Sequence, residues 1–154
     1  MFILKVVKAL NAYKVHYAVV GGYAVALHGA VRGTVDLDLI INLTKNSMIN
    51  AEKALNTIGL KSKIPVSGED VFNFRGEYIK NKNMIAWNLT NPNNPAESVD
   101  IIITEDLKQY KSKKIKIDNQ NIKVISIEGL IKIKEKSSRP QDIEDVKALR
   151  RLAK

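Results

Sequence analysis

The chain has 154 residues and no cysteine, so a disulfide framework, a thiolate metal site and a cysteine nucleophile are all excluded. The absence fits a reducing compartment. No stretch approaches the roughly 18 consecutive apolar residues that a spanning helix needs. The opening segment MFILKVVKALNAYKVHYAVV lacks a small-residue cleavage site after a continuous apolar run, and Lys5, Lys8 and Lys14 recur in it at helical spacing, so it does not read as a signal peptide. A Walker A loop and a G-x-G-x-x-G fingerprint are both missing, which removes support for P-loop and Rossmann readings. Aromatic residues are few, at 6%. Even so, 45% hydrophobic and 27% charged residues are ordinary for a globular protein and argue against a disordered chain or a collagen-like fibre. The expectation is a soluble cytoplasmic protein with no membrane partner, long enough for one hydrophobic core and too short for two.

Charge is unevenly placed within a net +9. Residues 1–107 carry 11 Lys and Arg against 10 Asp and Glu, whereas residues 108–154 carry 14 against 6. Such an asymmetry suits an anionic partner for the C-terminal third, such as RNA, DNA or the phosphates of a nucleotide. A lysine-rich solvated surface is the plainer alternative.

The apolar pattern predicts mixed α/β (α+β) structure, with a mixed twisted β-sheet flanked by helices in one domain over residues 1–154. Ile3, Val6, Val7 and Leu10 share a helical face, so residues 3–14 read as an amphipathic helix. Val15 to Val20 reads as a strand, broken by Gly21-Gly22 and followed by a short helix over 23–27. A second strand holds Leu37, Leu39, Ile40 and Ile41. Thr44 suits the N-cap of a helix that stops at Gly59. Residues 61–82 give no clear pattern. Strands are expected at 85–89 and 99–103, a turn at 91–95, a helix within 105–112, and a hairpin whose arms are 115–117 and 122–127. A helical pair at about 128–153 closes the chain, with Pro140 in the first turn of its second member.

The chemistry concentrates on carboxylates. In VDLDLII (35–41), Asp36 and Asp38 are two apart on a strand and share a face. Two acids so close are costly unless a cation sits between them. Mg²⁺ is a natural occupant, because it takes one or two carboxylates together with substrate phosphates. The alternative is a sheet with one wet face, where alternating acids need no ligand. Asp100 interrupts an apolar run, Val99 to Ile103, that reads as fully buried, and an acid there needs a partner. If its strand lies beside that of Asp36 and Asp38, three carboxylates converge. That is enough for two metal ions and in-line phosphoryl transfer. Otherwise Asp100 sits at the strand's mouth and pairs with a lysine. Gly21 and Gly22, between a strand and a helix, allow close backbone approach to a phosphate, or simply make a tight turn.

Together these features resemble the nucleotidyltransferase superfamily, with its DNA-polymerase-beta-like fold. The matching residues are Val20-Gly21-Gly22, then Asp36-Leu37-Asp38, and later Val99-Asp100-Ile101. The wording GGYAVALHGAVRGTVDLDL (21–39) looks like the AbiEii-type branch, which includes toxins of toxin–antitoxin and phage-defence systems. The spacing of Lys134, Arg139, Asp142 and Asp145 within KEKSSRPQDIEDV is similar to the same branch. Many relatives carry a further helical domain that these residues do not include.

The resemblance implies that Asp36 and Asp38 hold a Mg²⁺ ion gripping the phosphates of an NTP. It implies that Asp100 completes a second ion's site and helps deprotonate an acceptor hydroxyl. Gly21 and Gly22 would cradle phosphates, and Lys134 would neutralise them. Thr34 and Arg32, just before the acid pair, either touch phosphate or brace the loop, and Thr34 is kept with the nucleotide-binding set. The acceptor hydroxyl could belong to an RNA 3′ end, a protein or a small molecule; the resemblance to the toxin branch implies RNA or a protein, with a cognate antitoxin or toxin as a further partner. Among other residues, His28 reads as structural, and Tyr23 as core rather than a base-stacking residue. Trp87 and Phe74 read as core. Arg139, Asp142 and Asp145 read as a salt-bridged helix junction, with Asp142 and Asp145 able to reach the rim of the site. The lysines of 108–116 with Tyr110 could track a nucleic-acid backbone, although one aromatic interleaves poorly. Two readings compete with the enzyme: a non-catalytic nucleotide-binding or partner-binding regulatory module, and a basic nucleic-acid-binding protein whose acids are merely surface.

Overall fold

A computed structural model describes residues 1–30, 36–137 and 139–153. The first helix, α1 (Phe2–Ala12), buries the predicted face of Ile3, Val6, Val7 and Leu10. Strand β1 (Tyr17–Val20) is buried along its whole length. It runs directly into α2 (Gly21–Leu27), so the two glycines form the first turn of this helix rather than a spacer before it. Strand β2 (Leu37–Ile41) follows, and then α3 (Lys45–Thr57), whose N-cap Thr44 accepts a hydrogen bond from the Ser47 amide.

The segment without a clear sequence pattern becomes β3 (Lys61–Ser62) and α4 (Gly68–Lys82). A capping box starts α4, with Ser67 and Asp70 each satisfying the other's backbone amide. Its apolar stripe is weak because only Gly68 and Val71 are buried. Strands β4 (Ala86–Asn91) and β5 (Asn94–Ile102) form a hairpin. The helix expected within 105–112 is a single 3₁₀ turn, Leu107–Gln109, capped by Asp106. The chain is then drawn into β6 (Ser112–Ile117), which pairs with β7 (Gln120–Ile125). Asp118 and Asn119 both take positive φ between them, the conformation a two-residue hairpin turn demands. Helices α5 (Ile127–Lys134) and α6 (Pro140–Leu152) end the fold, with Pro140 in the first turn of α6.

Among the described residues, the seven strands form one mixed sheet in the order β3-β4-β5-β2-β1-β7-β6. The neighbours β2–β5 and β1–β7 are parallel, and the other pairs are antiparallel. Helices α1, α3 and α4 pack in sequence against one another, whereas α2 contacts both α5 and α6. The apolar core runs through β1, β2 and β5, where Leu37, Leu39, Val99 and Ile101 are at most 1% exposed. Strand alternation turns the residues between them to the other face. Asp38, Asp100 and Ile102 are accordingly half-buried. The expectation of a fully buried strand at 99–103 is therefore corrected, since β5 has one apolar face and one face that opens onto a cavity.

Candidate active site

The parallel ladder between β2 and β5 places Leu37 opposite Val99, Asp38 opposite Asp100 and Leu39 opposite Ile101. The antiparallel ladder on the other side of β2 places Asp38 opposite Val20, the last residue of β1. Asp36 stands one residue before β2, and Gly21 begins α2 at the end of β1. Gly21, Asp36, Asp38 and Asp100 therefore come together, and all four line one cavity of about 760 Å³. The opposing lining includes Lys134, Lys136, Arg139 and Asp142 from α5, α6 and the segment between them.

Asp38 is the most perturbed member. Burial, then the negative charges of Asp100 and Asp36, push its pKa up to about 6, against the opposing fields of Lys134 and Arg139. Carboxylates on adjacent strands repel one another, which favours the protonated form. Asp100 is oriented by an amide rather than by a lysine. Asn88, its partner across the β4–β5 ladder, donates from Nδ2 to Asp100 Oδ1 at 2.8 Å and to Ser98 Oγ at 2.8 Å.

Gly21 is constrained twice over. Its φ of +68° is left-handed, and a Cβ there would overlap Asp38 Oδ2 and lie 2.9 Å from its Cγ. The space that a side chain would fill is the seat of the Asp38 carboxylate. Gly22 is buried in the first turn of α2 and does not line the cavity. Thr34, together with Arg32, lies outside the described residues.

Lys134 is 6% exposed and held by two carboxylates, Asp142 Oδ1 at 3.2 Å and Asp145 Oδ2 at 2.9 Å. Arg139 donates from Nε to Asp142 Oδ2 at 2.8 Å. Burial acts to raise the Asp142 pKa, but hydrogen bonds from Arg139, Ser137 and Lys134 outweigh it and hold the group down at about 2. The four spaced residues of the C-terminal motif thus close into one ion-pair network joining α5 to α6.

Sequence reasoning missed Glu105. It is 4% exposed and lines the same cavity, and its oxygens accept from Lys136 Nζ at 2.7 and 2.8 Å and from the Tyr110 hydroxyl. A faint signal was present, since Glu105 follows the Asp100 strand closely. Nothing local ties it to a lysine 31 residues away. The apolar part of the wall, including Ile85, Ile102, Leu130 and Ile133, was not foreseen either.

The remaining candidates are structural. His28 Nε2 lies 2.7 Å from the Ile125 carbonyl oxygen, and burial lowers its pKa. Tyr23 packs half-buried against the core, and Trp87 is fully buried with its indole N–H donated to Ser62. Phe74 is not core: it is 45% exposed. Helix α4 departs from helical geometry at Phe74 itself (φ −114°, ψ 17°), so the periodicity from buried Val71 does not continue. Tyr110 is engaged by Glu105, with Lys132 Nζ 5.8 Å from its ring centre, so it is not an open stacking platform. Lys111, Lys113, Lys114 and Lys116 are exposed on and beside the edge strand β6.

The residues present fit a divalent cation that is completed by phosphate. Among the described residues, no three His, Asp or Glu side chains form a ready metal cage. Asp38 and Asp100 instead offer an open pair of hard oxygen donors whose mutual repulsion a cation relieves. That is the donor set Mg²⁺ uses when substrate phosphates supply the rest of its shell. Among the described residues, no helix is long and apolar enough to cross a membrane.

A family model described as a nucleotidyl transferase of unknown function (DUF2204) matches residues 2–154. No curated protein matches the chain. Several solved structures share the fold. The lincomycin-bound lincosamide antibiotic adenylyltransferase LnuA is 15% identical, with a TM-score of 0.64 over 98% of this chain and 96% of that one. The enzyme ANT(2")-Ia in complex with adenylyl-2"-tobramycin is 14% identical, with a TM-score of 0.62 over 96% and 84%. An antigenic nucleotidyltransferase-like protein from Paracoccidioides brasiliensis is 19% identical, with a TM-score of 0.58 over 96% and 74%.

Proposed function

The chain belongs to the family of nucleotidyl transferases of unknown function, and we propose that it moves a nucleoside monophosphate from an NTP to a hydroxyl acceptor at the carboxylate cavity. The observation that carries this reading is the in-register pairing of Asp38 with Asp100, beside Asp36 and Gly21, on the wall of one cavity. In the reaction, the acceptor oxygen bonds to the α-phosphorus. The bond from that phosphorus to the oxygen bridging the β-phosphate breaks, and its electron pair leaves on pyrophosphate. Asp100, on the side of the site away from Gly21, takes the hydroxyl proton.

Asp36 and Asp38 would hold Mg²⁺, and Asp100 would complete the site of a second ion. Bound Mg²⁺ supplies charge neutralisation and in-line alignment of the phosphates. The chain's own contribution is positioning and a prearranged field. Gly21 keeps the Asp38 carboxylate in place by leaving it room, and the backbone at Gly21 and Gly22 is the proposed phosphate cradle, with Thr34 assigned to the nucleotide. The C-terminal network supports treating Lys134, Arg139, Asp142 and Asp145 as one unit. The AbiEii-type resemblance and a toxin–antitoxin or phage-defence role rest on the sequence wording alone. Under that reading the acceptor is an RNA 3′ end or a protein.

The test is label transfer. The protein is incubated with Mg²⁺, total RNA and a cell extract, using each NTP labelled at the α-phosphate, beside an Asp36→Ala, Asp38→Ala control. Label on RNA or protein only with the intact acids establishes transfer and names the acceptor class. Nucleotide binding without transfer in any combination favours the non-catalytic module.

A further inference from the structure

Among the described residues, three cations line the cavity opposite the carboxylates, and they differ in what remains of their charge. Lys134 is 6% exposed and pinned between two acids, Asp142 and Asp145. The side chain of Lys136 is 55% exposed and has one acidic partner, Glu105. The side chain of Arg139 is 77% exposed and also has one, Asp142. Arg139 reaches that partner with Nε and Nη2, so among the described residues its Nη1 has no protein acceptor. Its field also reaches Asp38 across the cavity.

Resting on the nucleotidyltransferase reading, we infer that Lys136 and Arg139 are the residues that contact the β- and γ-phosphates and the departing pyrophosphate, while Lys134 is the internal brace that ties α6 to α5. Burial decides the split. A charge enclosed by two carboxylates has little left to offer a ligand, and moving it would break two buried ion pairs at once. An exposed cation with one partner can take a phosphate oxygen without leaving that partner. Glu105 and Asp142 hold the two cations in place beforehand, so little side-chain freedom is lost when an anion arrives. Arg139 can also offer its planar guanidinium to a phosphate, a geometry that Lys134 cannot supply.

The probe is inorganic tripolyphosphate with Mg²⁺, measured by titration calorimetry, which needs neither base nor acceptor. The wild-type chain is expected to bind it only with Mg²⁺, and Asp38→Asn to abolish that binding. Arg139→Met and Lys136→Met should each weaken binding at least about tenfold. Because Lys136→Met strands a buried carboxylate, the Glu105→Gln, Lys136→Met pair serves as the second variant, removing one charge of each sign. It too should weaken binding about tenfold while keeping a cooperative melt. Wild-type affinity in both Arg139→Met and the Glu105→Gln, Lys136→Met pair overturns this inference and leaves the functional reading standing. Absence of Mg²⁺-dependent binding by the wild-type chain overturns both.

Discussion

Asp38 and Asp100 face each other across two parallel strands, in register and on the same side of the sheet. Burial, and after it the negative charges of Asp100 and Asp36, lifts the Asp38 pKa from the ordinary 3.8 to about 6. A carboxyl whose pKa is raised by folding favours the folded state while protonated. That contribution is complete below the unfolded pKa and is lost as pH rises through about 6. At pH 7 the ionised Asp38 carboxylate therefore works against folding. Asp38→Asn should abolish transfer yet stabilise the metal-free protein at pH 7 by up to about 2 kcal/mol. The gain should fade by pH 4. Urea denaturation in a chelator at the two pH values checks it. A less stable variant at pH 7 would contradict the assignment.

Gly21→Ala should harm both stability and activity. The residue sits at φ +68°, and its new methyl group would occupy the place of the Asp38 carboxylate. The left-handed strain alone costs roughly 1 kcal/mol, and the displaced acid adds to it. The expected result is a lower melting temperature together with loss of Mg²⁺-dependent nucleotide binding. Retained binding would show that Asp38 has freedom to move that the close approach denies.

Acid should open the α5–α6 junction. Asp142 is held at about 2 by its hydrogen bonds from Arg139, Ser137 and Lys134, although burial acts the other way. A depressed carboxyl contributes stability above its unfolded value near 3.8, and the contribution is lost as pH falls through about 2. Asp142→Asn should cost about 2 kcal/mol at pH 7 and progressively less between pH 4 and pH 2. Parallel pH–stability curves for the two proteins would refute the claim that this network is the acid-sensitive element.

His28 should be replaceable without loss of chemistry. Its Nε2 lies within hydrogen-bond distance of the Ile125 carbonyl, and it does not line the cavity. His28→Ala should lower stability by about 1 kcal/mol and leave the label-transfer rate per folded molecule unchanged. A large fall in that rate would assign it a role the geometry does not support.

Local signals announced much of this molecule. The face of Ile3, Val6, Val7 and Leu10, the Thr44 cap and the Pro140 start all depend on neighbours a few residues away, and all three appear in the fold. Strand alternation predicts a shared face for Asp36 and Asp38; Asp36 stands one residue before β2, and both acids line the cavity. The segment 61–82 was illegible because α4 buries too little to show a stripe, and Phe74 is exposed where the helix kinks. The turn 107–109 was misread as a helix because β6 pairs with β7 and draws the chain into the sheet. The pairing of Asp38 with Asp100 and the grip of Glu105 on Lys136 belong to the tertiary structure. Residue order sets which side chains share a face, because backbone geometry repeats every two or 3.6 residues. Which faces meet is decided when distant apolar strands are buried together, and that choice brought the acids and cations of this cavity within reach of one another.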